Sequence, residues 1–116
     1  MFTIYGNKIK LTRGDTFITT LGLKKKNGEP IELTEGDTVI FAVKSKLNSK
    51  QTEYVEEEPL IMKTIPVGTM VLRLDPEDTK SLPFGTYYYD VEITFADGRV
   101  DTVINNEQFI LGPEVV

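Results

Sequence analysis

The stretch Leu82-Pro83-Phe84-Gly85-Thr86-Tyr87-Tyr88-Tyr89-Asp90-Val91-Glu92-Ile93-Thr94-Phe95-Ala96-Asp97-Gly98-Arg99 decides the fold. Tyr87, Tyr89, Val91, Ile93 and Phe95 alternate with Tyr88, Asp90, Glu92 and Thr94. A period of two puts the first set on the buried face of a strand and the second on its outer face. Ala96-Asp97-Gly98-Arg99 then closes a tight hairpin, with Asp-Gly supplying the positive φ angles such a turn needs. The run that follows, residues 100–111, is the returning strand. Asn105-Asn106 interrupts it and predicts a bulge or bend.

Working outward, the same alternation recurs with turn residues between runs. Residues 8–12 form a short strand after an extended N-terminal piece, and Thr12-Arg13-Gly14-Asp15 is a turn. Phe17, Thr19, Leu21 and Leu23 share a face, ended by Asn27-Gly28-Glu29-Pro30, while residues 31–33 form a short edge piece. Val39, Phe41 and Val43 line another strand after Glu35-Gly36-Asp37. Residues 60–65 return as strand, and Met70, Leu72 and Leu74 point inward beyond Pro66-Val67-Gly68. The only helical turn expected is near 76–82, with Asp75 placed to cap it, Pro76 at its first position and Pro83 stopping it.

About seven or eight strands with frequent turns indicate an all-β domain, an immunoglobulin-like antiparallel β-sandwich occupying residues 1–116 as one unit. In such folds a tyrosine near the start of the long strand turns its hydroxyl back onto upstream backbone, the tyrosine corner. Gly85-Thr86-Tyr87 makes Tyr87 the candidate, with Tyr89 where antibody domains carry a core cysteine. Alternatively all three tyrosines are ordinary strand aromatics. The expected core is Phe17, Leu21, Leu23, Val39, Phe41, Val43, Met70, Leu72, Leu74, Tyr87, Tyr89, Val91, Ile93, Phe95, Phe109 and Leu111. Burying a dozen such side chains at about 1.5–3 kcal/mol each offsets the chain entropy without disulfides or metal.

Composition narrows the chemistry. The 116 residues are 40% hydrophobic and 27% charged, as in folded globular chains. There is no cysteine and no histidine. Disulfides, cysteine-ligated metals, thiolate nucleophiles and every Ser-His-Asp or Cys-His arrangement are thereby excluded. Net charge is -5, which argues against a nucleic-acid partner. No apolar run is long enough for a membrane helix, and the first residues lack the pattern of a signal peptide, so cytoplasmic synthesis without a membrane partner is expected.

Individual motifs give no catalytic site. The glycines sit singly at turns, and Arg13-Gly14-Asp15 is best explained as a strand-joining turn. Lys24-Lys25-Lys26 and Glu56-Glu57-Glu58 are solvated runs within or beside loops. Asp75 and Asp78 suit a helix start, and Asp97 and Asp101 flank the hairpin without a calcium-binding spacing. The reading is therefore non-enzymatic, with no catalytic residue, cofactor or metal. Tyr88 and Tyr54 are the candidate surface contacts.

Taken in order, Leu11-Thr12-Arg13-Gly14-Asp15-Thr16-Phe17, Asn27-Gly28-Glu29-Pro30-Ile31-Glu32-Leu33-Thr34, Asp37-Thr38-Val39-Ile40-Phe41-Ala42-Val43-Lys44, Leu74-Asp75-Pro76-Glu77-Asp78-Thr79-Lys80-Ser81-Leu82 and Gly85-Thr86-Tyr87-Tyr88-Tyr89-Asp90-Val91 form a pattern. It resembles the immunoglobulin-like domain at the N-terminus of phage baseplate upper proteins and related prophage tail proteins of Gram-positive bacteria. Family members often continue into a long C-terminal part, whereas this sequence ends at Val116, as a free-standing version or a domain of a longer protein. The resemblance implies a virion structural component that docks onto other tail or baseplate proteins, with a homo-oligomer among the expected assemblies. It supplies no catalytic residue. The alternative on the same fold is a carbohydrate-binding or cell-surface adhesion module. An enzyme using carboxylates or tyrosine is the third reading.

Overall fold

The structure is a computed structural model, described here for residues 2–5, 8–24, 28–45 and 59–113; for residues 2–5 only the backbone is described. Eight strands and one short helix follow in the order β1 (Phe2–Tyr5), β2 (Lys8–Thr12), β3 (Phe17–Thr20), β4 (Thr38–Lys44), β5 (Ile61–Ile65), β6 (Val71–Leu74), α1 (Pro76–Lys80), β7 (Gly85–Thr94) and β8 (Val100–Gly112). Six strands make one sheet in the order β1-β2-β8-β7-β4-β5, and β3 with β6 makes a second, two-stranded sheet. The result is an all-β, immunoglobulin-like sandwich. β8, β7 and β4 lie side by side in one layer, and β3 and β6 form the other. The strands pair antiparallel except at β2 and β8, which run parallel, Ile9 beside Phe109 and Thr12 beside Gly112. Among the described residues no helix is long and apolar enough to cross a membrane.

Alternation builds the core. Val39, Phe41 and Val43 of β4 face Tyr89, Val91 and Ile93 of β7 along one register and are fully enclosed. The second sheet contributes Phe17, Leu72 and Leu74 to the same cluster. At its centre the Phe41 ring sits 5.2 Å from Tyr89 and 6.2 Å from Phe109, the second pair edge-on. Both separations are in the range favoured by aromatic pairs.

Several expectations need correction. Leu21, Met70 and Phe95 are only half-buried, packing against the core from its rim. Met70 shares the parity of Leu72 and Leu74, but its φ of 53° breaks the strand before β6 begins. Conversely Ile9, Leu11, Ile61 and Ile65 are core residues. The strand expected through Leu23 ends at Thr20, and residues 31–33 are not strand. In the β7–β8 hairpin only Gly98 has positive φ, at 92°. Gly98 N–H donates to Phe95 O at 2.9 Å and Phe95 N–H to Arg99 O at 2.8 Å, a three-residue loop ending in a left-handed glycine.

The interruption at Asn105-Asn106 is a bulge inside a continuous β8. Tyr89 faces Glu107 and Val91 faces Ile104, so two steps along β7 match three along β8. Asn106 adopts φ 54°, and its N–H donates to Asp90 Oδ1 at 2.7 Å. The other Asp90 oxygen is paired with Lys44 Nζ on the neighbouring strand.

Candidate interaction surface

Tyr87 and Tyr88 occupy opposite faces of β7. Tyr87 is buried, and its hydroxyl donates to Pro83 O at 2.7 Å, tying the strand to the segment that follows α1. Tyr88 is half-buried on the outer face beside Lys44 and Gln108. Tyr54 and the run Glu56-Glu57-Glu58 lie outside the described residues, as do Lys25, Lys26 and Asn27. Of the two sequence-derived contact residues, Tyr88 alone lies among the described residues.

The Arg13-Gly14-Asp15 turn is anchored to the body of the protein. Gly14 N–H donates to Thr79 Oγ1 at 2.9 Å, and Thr79 itself is fully buried on α1. Arg13 donates to Leu82 O at 3.2 Å and lays its guanidinium 4.1 Å from the centroid of the Phe84 ring. Phe84 is an exposed aromatic, and the guanidinium lies over its ring.

Three of the carboxylates singled out by sequence, Asp75, Asp78 and Asp97, have local partners. Asp78 accepts the Asp75 N–H at 2.7 Å, half of a capping box, and pairs with Lys63 at 3.0 Å. Asp75 pairs with Arg73, and Asp97 with Arg99. The Arg99 backbone N–H, followed by its side chain, holds the Asp97 carboxyl below its ordinary range. Asp101 lies exposed on β8 opposite Ile93. Among the described residues no three metal-ligating side chains of the His, Cys, Asp or Glu type converge. Burial, with a lesser contribution from Glu107, pushes the Tyr89 phenol well above its ordinary range and keeps it protonated.

Two surfaces stand out that single residues did not announce. The first is β5, the last strand of the six-stranded sheet. Its outer row carries Met62, 63% exposed, and the exposed Leu60 stands just before the strand. Among the described residues nothing pairs with its free side.

The second is a cleft of about 720 Å³ between the Thr34–Asp37 turn and the segment after β5. Leu33, Ile65, Pro66 and Val67 supply its apolar lining, and Glu35 and Asp37 its charge. Gly36 takes φ 105° within the turn, which Asp37 N–H closes onto Thr34 O at 3.1 Å. Asp37 is fixed twice over: Oδ2 accepts Thr34 N–H and Oδ1 accepts Ala96 N–H, each at 2.9 Å. Those bonds, Thr34 first and Ala96 next, hold its carboxyl below the ordinary value of 3.8. Sequence reasoning marks Glu35-Gly36-Asp37 as a turn. The facing wall comes from β5 and the segment after it, about thirty positions further along the chain, which no local pattern reveals. No protein-family model matches the chain, and no curated protein matches it.

Proposed function

We propose that this protein is a non-enzymatic structural module of a phage or prophage tail or baseplate, working by contact with other proteins of the assembly. The sequence resemblance supplies the biological setting. The observation that carries the reading is the edge at β5, unpaired among the described residues, with Leu60 and Met62 beside it. An edge strand offers a row of unpaired N–H and C=O groups onto which a partner strand can build. Met62 and Leu60 add apolar surface beside that row.

The edge carries a device against indiscriminate pairing. Lys63 sits mid-strand with inward parity and is paired to Asp78 at 3.0 Å, and a charge so placed disfavours stacking of identical edges. Selective docking by a complementary partner remains open to the strand. Partners are other tail or baseplate proteins, with ring-forming copies of the chain itself among them.

The test is composition of the particle. Mass spectrometry of virions purified after induction of the host carrying the gene finds this chain in fixed stoichiometry with tail proteins. Its absence from intact particles overturns the proposal.

A further inference from the structure

The cleft beside Asp37 has a one-sided chemistry. Its lining holds two carboxylates, Glu35 and Asp37, the hydroxyl-bearing Thr38 and Thr64, and apolar groups, with no lysine or arginine. Glu35 is exposed, and its side chain makes no hydrogen bond or ion pair among the described residues. Asp37 is held in place by two backbone N–H groups and a 3.4 Å contact from the Thr34 hydroxyl. A carboxylate has about four acceptor positions, so one remains for an incoming donor. Its orientation is set before anything binds, which removes part of the ordering cost of association.

A long cation suits such a site. Lysine and arginine combine an apolar stem with a charged tip, and each buries its stem while the tip seeks a partner. A neutral apolar side chain would satisfy the floor and strand the carboxylates. An acidic one would be repelled by them and by a chain of net charge -5.

We infer that this cleft receives a lysine or arginine side chain presented by a partner protein, with its stem against Leu33, Ile65 and Val67 and its cation at Glu35 and Asp37. This assignment rests on the reading of the protein as a contact module and specifies the chemistry of one contact.

The experiment is a titration of the full chain, followed by amide resonances, with the peptide acetyl-Gly-Ser-Lys-Ser-Gly-amide and the same peptide carrying norleucine in place of lysine. The expected result is saturable shifts confined to Gly36, Thr38, Thr64 and Val67, with the lysine peptide binding at about millimolar dissociation constant, near 4 kcal/mol. Glu35→Gln weakens that binding at least fivefold, and Val67→Lys, which places a cation in the cleft, abolishes it. Each variant is accepted only with an otherwise unchanged spectrum. Absence of shifts, equal shifts with the norleucine peptide, or equal shifts at the exposed carboxylates Glu92 and Asp101 overturns the inference. Retention of full affinity in both variants overturns it too. The titration contains no virion component, so it can fail while the chain is found in particles, and succeed while it is not.

Discussion

At the Tyr87 hydroxyl a single oxygen joins the start of β7 to the Pro83 carbonyl. Tyr87→Phe keeps the buried ring and removes only that bond, so it costs about 1 kcal/mol, read as a lowered urea midpoint at unchanged slope. Asp37 gives a pH-dependent counterpart. Its carboxyl titrates lower in the folded chain than in the unfolded one, because two amides donate to the ionised form. The stabilisation is therefore complete above the unfolded value and drains away as the pH falls through the folded value. Between about pH 5 and about pH 2, wild type should lose melting temperature more steeply than Asp37→Asn. Equal slopes on the acid limb would show that the Thr34 and Ala96 bonds do not favour the charged form. Asp97 contributes in the same direction through Arg99.

At the level of elements, glycines separate conformation from space. Gly98 and Gly68 both have open space where a Cβ would stand, but Gly98 has φ 92° and Gly68 is not in the left-handed region. Gly98→Ala should cost about 1–2 kcal/mol through backbone strain, while Gly68→Ala is neutral or stabilising by up to about 1 kcal/mol. Chemical denaturation of the two variants side by side checks the contrast. The β8 bulge offers another prediction. Asp90 serves both the Asn106 amide and Lys44, and both side chains of the ion pair are mostly enclosed, at 14% and 17% exposure. Asp90→Ala removes both interactions and costs about 2 kcal/mol; Lys44→Met leaves the amide bond intact and costs less, by the same assay. Sequence made much of this level legible. β7 was readable from five alternating apolar residues, and the bulge from paired asparagines. Ile9, Leu11, Ile61 and Ile65 escaped the expected core because their runs are short and their burial comes from neighbours remote in sequence. Met70 misled for the opposite reason, a local backbone reversal inside correct parity.

For the whole molecule, class and layering follow from patterning, whereas the order of strands does not. A two-residue period says which face is apolar but not which strand lies beside which. Hence the edge at β5 and the cleft at Asp37 emerge only once β4, β5 and the β7–β8 hairpin are assembled. Tyr88 was identifiable as outward-facing from its place between Tyr87 and Tyr89; its half-burial beside Lys44 and Gln108 required the neighbouring strands. The parallel union of β2 with β8 belongs to the same class of facts, since it joins residues about a hundred positions apart.

That union has a mechanical consequence. Traction applied at Phe2 and Pro113 first strips β1, whose Phe2 end lies beside Leu11. It then drags β2 and β8 along their own axes in opposite senses, so their rungs resist together instead of parting one by one. Stretching single molecules between these two anchor points should give a weak early yield followed by a much stronger one. Loss of the strong event on inserting proline at Lys10 would locate the resisting seam there.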